Sequence, residues 1–167
     1  MRPIRVLPLA VALWVGCTDS TGPSIAGPPF VKAVIDGVTW TNNAAGQAFG
    51  QINPESTLVV VGIASAPGIL QSLGFQVGRF HSTGTYALSF TRDPGPINSG
   101  YYTIQAGPSL SDVQHYATDS ANTGQVRVTS IDTAARIVTG TFMFTAVQPG
   151  GPAIVHVMEG SFRVHYP

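Results

Sequence analysis

The stretch Ile137–Tyr166, IVTGTFMFTAVQPGGPAIVHVMEGSFRVHY, decides the fold. In its first part, Ile137–Val147, Phe142, Phe144 and Ala146 occupy alternate positions. That is the period of a strand, not of a helix. "QPGGP" interrupts the pattern with the two residue types that punctuate turns. Beyond it Val155 and Val157 sit at odd positions, whereas Phe162, Val164 and Tyr166 sit at even ones. One face can bury both sets only if the register resets near Glu159-Gly160. Either a second hairpin turns there or one long strand carries a bulge. A strand ending at Met158 leaves half of Ile137–Val147 without a partner. The bulge is therefore the favoured reading, with Gly160 in the left-handed region.

The same period runs upstream. Phe30–Ile35 and Val38–Trp40 flank Asp36-Gly37, a two-residue hairpin signal because type I′ turns need positive φ at both central positions. Thr57–Ala64 (TLVVVGIA) is a continuous apolar run, as in a strand covered on both faces or nearly so. Leu73, Phe75 and Val77 alternate with polar or small residues, and so do Tyr86, Leu88 and Phe90. "RDPGPINSG" is a loop by composition. Tyr101–Gln105 reads as a strand, Val113–Thr118 as a weaker one, and Val126 and Val128 lead through Ile131 toward Ile137. Ser109–Asn122 is the one stretch where a short helix competes, since it lacks Gly and Pro, although its β-branched and Asn/Asp content opposes helix. About nine short strands between Gly/Pro/Asn/Asp turns predict an all-β domain: an antiparallel β-sandwich, with a closed or partly closed β-barrel as the alternative.

Composition narrows the function. Charged residues are 10% of the 167, against about 25% in an average soluble domain. Beyond residue 16 there are six basic and eight acidic residues and no basic cluster, which excludes nucleic-acid binding through phosphates. The single cysteine, Cys17, rules out an internal disulfide, so the core alone must hold the domain.

The N-terminus has the form of a secretory leader. Arg2 and Arg5 precede VLPLAVALWV, an apolar run too short to span a bilayer as a helix. Val15-Gly16-Cys17 resembles the lipobox of bacterial lipoproteins, in which a small residue precedes the cysteine that is acylated on sulfur with palmitate-type chains and becomes the first residue. Trp14 departs from the usual aliphatic residue three places before the cysteine. The competing reading is ordinary secretion with cleavage at Ser24-Ile25-Ala26. The expected organisation is a signal peptide at 1–16, lipidated Cys17 with a flexible Pro/Gly/Ser linker at 17–29, and a single all-β domain at 30–167. Extended, Thr18–Pro29 reaches about 35 Å, enough to hold a domain clear of lipid headgroups. The expected location is the cell envelope, lipid-anchored in a bilayer. Thr18 after the cysteine points to the outer membrane where the host has two.

"FVKAVIDGVTW", "GTYALSF", "VRVTSIDTAARIVTGTFMFTA" and "EGSFRVHY" occur in this order. This pattern resembles a family of uncharacterised bacterial lipoproteins with an all-β domain of unknown function, over most of Phe30–Tyr166. The most diagnostic piece is Gly140-Thr141-Phe142-x-Phe144 followed by Gly160-x-Phe162. The resemblance implies an envelope location and a fold class; it implies no activity and no site residues.

No nucleophile elbow, phosphate loop, H-E-x-x-H or dinucleotide glycine motif is present. Of the four histidines, His81, His115, His156 and His165, the last two lie about 30 Å apart along an extended strand, too far for one metal unless the strand turns back at Gly160, and they read as solvent-facing residues beside Arg163. Asp112, His115 and Asp119 form the densest titratable group, readable as a general base with its orienting carboxylate or as turn residues bonded to backbone. Trp40 reads as core before sugar platform, and of Tyr101 and Tyr102 one must face outward. The expectation is a membrane-anchored binding or structural module, not a catalyst, with no cofactor, no metal and no catalytic residue assigned, and with an unknown envelope protein or glycan as its partner. The alternatives are a hydrolase with a loop-built site around Asp112 and His115, and a barrel carrying a small apolar ligand.

Overall fold

The structure, a computed structural model, describes residues 27–43, 47–52, 56–90 and 97–167. The expected signal peptide at 1–16, Cys17, the expected linker as far as residue 26 and residues 91–96 of the expected loop lie outside the described residues. Among the described residues eleven strands form, against about nine expected: β1 Phe30–Ile35, β2 Val38–Thr41, β3 Ala48–Ile52, β4 Leu58–Ala66, β5 Ile69–Val77, β6 Gly84–Leu88, β7 Asn98–Gln105, β8 Val113–Ala117, β9 Gly124–Asp132, β10 Ile137–Val147 and β11 Ile154–His165. The competing helix in Ser109–Asn122 is reduced to a 3-10 turn, Leu110–Asp112, ahead of β8. All pairings are antiparallel.

The strands fold into two layers. One runs β2-β1-β11-β10-β9-β6; the other runs β3-β4-β5-β7-β8. A single residue pair, Val147 with Ala117, joins them. The sheet is not closed, so the architecture is sandwich-like and the closed barrel falls. Its centre is filled by Phe75, Phe142 and Phe162, with ring centroids 5.1 to 6.4 Å apart. A carrier barrel would keep that space for its cargo.

The β10–β11 hairpin explains the glycine–phenylalanine pattern. β11 is one strand, as expected. Phe142 pairs with Gly160 and Phe144 with Val157, so Met143 faces both Met158 and Glu159. The left-handed residue of this bulge is Glu159 (φ 52°), which corrects the expectation placed on Gly160. Gly160 is needed for another reason. A Cβ there would lie 2.5 Å from the Phe142 carbonyl oxygen and 2.6 Å from its ring. Gly140, paired with Phe162, would meet that ring at 2.7 Å. Each strand thus carries Gly-x-Phe, and each ring lies over the glycine of the other strand. Burying such a ring contributes about 1.5–3 kcal/mol. A third glycine, Gly100 of β7, receives the Phe144 ring from the opposite layer.

Smaller features follow the sequence. Asp36 and Gly37 both have positive φ (48° and 84°), as the two-residue turn requires. A register shift between Thr139 and Gly140 lets β9 bury Val126 and Val128 and still turn Ile131 toward the core. Trp40 is core: it is buried, and its Nε1 donates to Gln71 Oε1 across the layers at 2.8 Å. Arg163 points outward from β11 yet is buried, and its Nη1 donates to the Gly27 carbonyl. This bond fixes the start of the described chain to the far end of β11.

A candidate ligand-binding cleft

β10 has two neighbours along one edge. β9 takes Ile137–Phe144, and β8 touches only Val147. β8 and β9 therefore diverge, and the segment between them must cross the gap. A cleft of about 490 Å3 opens where they part. This lies within the range of about 300–1,000 Å3 typical of small-molecule sites. β7 contributes Ser99 and Tyr101, and β8 contributes His115 and Ala117. Val147, Pro149 and Phe90 close the apolar side, and Thr118 and Asp119 the polar side.

Alternation places these side chains. Inward positions of β5 and β7 hold Leu73, Phe75, Val77 and Tyr102, all buried. The intervening positions therefore face out, among them Gly74 and Tyr101, which are cross-strand partners. A Cβ on Gly74 would lie 2.6 Å from the Tyr101 hydroxyl oxygen and 2.8 Å from its Cζ. A Cβ would also strike the Val60 carbonyl oxygen, so the missing methyl group leaves room for the tip of the Tyr101 side chain against the sheet. Burial of its inner side pushes the hydroxyl up to about 12. The apolar floor extends along the register, from Phe49 through Val61, Gly74 and Tyr101 to Ala117 and Val147. β3, β4, β5, β7 and β8 contain no Asp, Glu, Lys or Arg.

Two polar groups at the cleft have their orientation set. Asp119 Oδ1 accepts from the backbone N–H of Ala121 at 2.8 Å and of Asn122, and from Asn122 Nδ2 at 3.1 Å. The two backbone donors, chiefly Asn122, hold its carboxyl below the usual carboxylate range. Oδ1 is engaged, so Oδ2 is the oxygen left for a ligand. His115 Nδ1 and Thr103 Oγ1 share a hydrogen bond of 3.0 Å, leaving Nε2 for the cleft. Thr118 is buried; its backbone N–H bonds to the Gly100 carbonyl, and its hydroxyl accepts from the Gly100 N–H.

Of the three residues of the alternative general-base reading, His115 and Asp119 line the cleft together. Asp112 does not line the cleft; its Oδ2 accepts from the Ser109 N–H at 3.2 Å, beside Gly107. The turn reading of Asp112 and Asp119 holds, and Asp112 is not brought to His115 as the hydrolase alternative requires. His81 is exposed, and its ring bonds to the Arg79 carbonyl. His156 meets Thr145 Oγ1, and His165 is exposed at the end of β11. Among the described residues no group of three or more His, Cys, Asp or Glu could hold a metal ion. The outward tyrosine is Tyr101, and Tyr102 is core. Phe90, Val147 and Pro149 were read in the sequence only as strand and turn positions, and nothing there pointed to a cleft; the Gly74–Tyr101 pairing comes from the register.

The chain belongs to the family described as a domain of unknown function, DUF6252, which matches residues 27–164. The match agrees in extent with the resemblance drawn from the strand pattern, and residues 1–26, Cys17 among them, lie outside it. No curated protein and no solved structure matches the chain.

Proposed function

We propose that this chain is a lipid-anchored protein of the bacterial cell envelope, tethered through acylated Cys17, whose β domain is a non-catalytic binding module with its ligand seat in the Tyr101 cleft. The observation that carries the reading is where the chain enters the domain relative to the cleft. Arg163, which bonds Gly27, pairs with Thr139 in β10; the cleft lies at the other end of β10, at Val147. Eight residues of extended chain separate Thr139 from Val147, about 27 Å. A domain standing on a spacer rooted at Gly27 holds its cleft away from the bilayer, open to whatever the envelope or its surroundings present. The leader, with Arg2, Arg5 and a short apolar run ending at Cys17, supports the anchor. Thr18 after the cysteine favours the outer membrane in a host with two.

The anchor is tested by the mass of the mature N-terminus. A diacylglyceryl-modified Cys17 is expected, and Cys17→Ala should move the protein from membranes to the soluble fraction with its unfolding curve unchanged. A mature chain starting near Gly27 overturns the tether.

A further inference from the structure

We propose that the cleft binds a neutral sugar unit, stacked on the Tyr101 ring with its hydroxyl groups donating to Asp119. This rests on the reading of the cleft as the ligand seat and names the chemistry of its occupant. Three observations converge. The Tyr101 side chain lies along the sheet with its tip over Gly74, and it lines the cleft as its aromatic surface. The C–H groups on one face of a pyranose match such a surface. An aliphatic chain would match it too, but would leave Asp119 and His115 desolvated without partners, at a cost in affinity.

The second observation is charge. Among the described residues the cleft has one ionised side chain, Asp119, and no Lys or Arg. Sulfated, phosphorylated or uronic sugars would be brought against a carboxylate with no described cation to neutralise them. A neutral sugar supplies what the site lacks, O–H donors in numbers. The third is preorganisation. Asp119 is held by its bonds to Ala121 and Asn122, and His115 by Thr103, so little side-chain freedom is lost on binding. The same chemistry fits a free saccharide or one unit of a polymer.

The test titrates the full chain, isotope-labelled in a sugar-free detergent, with methyl glucoside, methyl mannoside, methyl galactoside, N-acetylglucosamine and their β-linked dimers. Glucuronate and indole serve as the anionic and the merely flat controls. Saturable shifts at Tyr101, Ala117 and Asp119 are expected from at least one neutral sugar, and weaker binding of both controls. A dimer that binds more tightly than its monomer identifies a polymer. Tyr101→Leu should weaken binding about tenfold. Asp119→Asn is the second variant, because an Asn carbonyl can keep the turn's backbone bonds while the carboxylate is lost; it should weaken binding several-fold. Glucuronate bound as tightly as the neutral sugars overturns the assignment. Indole binding at Tyr101 with no sugar binding overturns the sugar and keeps the ligand seat. No shift in the cleft with any probe overturns both.

Discussion

Two places in this molecule use one packing device, with opposite results. In the β10–β11 hairpin, Phe142 and Phe162 each lie over a glycine of the neighbouring strand, Gly160 and Gly140, on the inner face. On the outer face of the second layer, Tyr101 lies over Gly74 in the same cross-strand relation. Inside, both sides of each ring are covered, and the ring contributes to stability. Outside, one side is covered and the other lines a cleft. A glycine opposite an aromatic residue therefore states that the ring lies flat; parity alone decides whether the result is core or surface. The hydroxyl agrees with parity: the inner rings are phenylalanine, and the outer ring keeps a polar end.

The largest test of this contrast is to remove the rings. Phe162 is almost wholly buried, at 1% exposure. Phe162→Ala should cost about 3–5 kcal/mol in urea unfolding. Tyr101→Ala should cost about 1–2 kcal/mol, because only one side of its ring leaves an apolar contact. Equal losses would mean that Tyr101 is a core residue and that its cleft is incidental.

A smaller effect separates ring from backbone as the reason for glycine. The three atoms nearest a Cβ on Gly100 all belong to the Phe144 ring, at 2.6 to 2.8 Å. Gly100→Ala should cost about 1–3 kcal/mol by overpacking. In a Phe144→Ala background the same change should cost less than about 0.5 kcal/mol, since the added methyl group enters the space the ring vacated. A cost that persists in that background would assign the glycine to the strand's backbone and not to the ring.

These pairs also show what could be read before the fold was known. Alternation placed Phe142, Phe144 and Phe162 on one face, and the parity change between Val157 and Phe162 required a reset at the right place. Both are local facts, visible within one strand. Which residue took the positive φ was not legible: glycine is the usual occupant, but Gly160 is held by the Phe142 ring from another strand, and Glu159 bears the turn. β3 was missed because AFGQI is short and half-exposed, and its pairing with β4 is its chief support. The cleft was illegible for a related reason. It exists because β8 leaves β10 after one residue pair, a matter of how strands diverge in space. Tyr101 was legible as one of two opposed tyrosines; Phe90 read as the last step of a strand that ends at Leu88, and Pro149 as a turn residue, and neither pattern says that they meet Tyr101.

The smallest expected effect is the most specific to the outer pair. Burial against Gly74 disfavours the Tyr101 phenolate and pushes its hydroxyl up to about 12, above the ordinary value near 10. Between those values the unfolded chain sheds this proton while the folded chain keeps it, so stability is full below pH 10 and falls as pH rises toward 12. The loss should be on the order of 1 kcal/mol, because the ring's outer side faces solvent and screens the penalty. Tyr102, raised first by burial and then by Tyr116 and Asp36, adds its own decline in the same direction. The discriminating measurement is therefore a difference: urea midpoints of wild type and Tyr101→Phe from pH 8 to 12. The phenylalanine keeps the ring on Gly74 and removes the titration, so the wild type should lose ground to the variant only above pH 10. Curves that run parallel throughout would mean that the Tyr101 hydroxyl ionises as freely folded as unfolded, and that water reaches both sides of its ring.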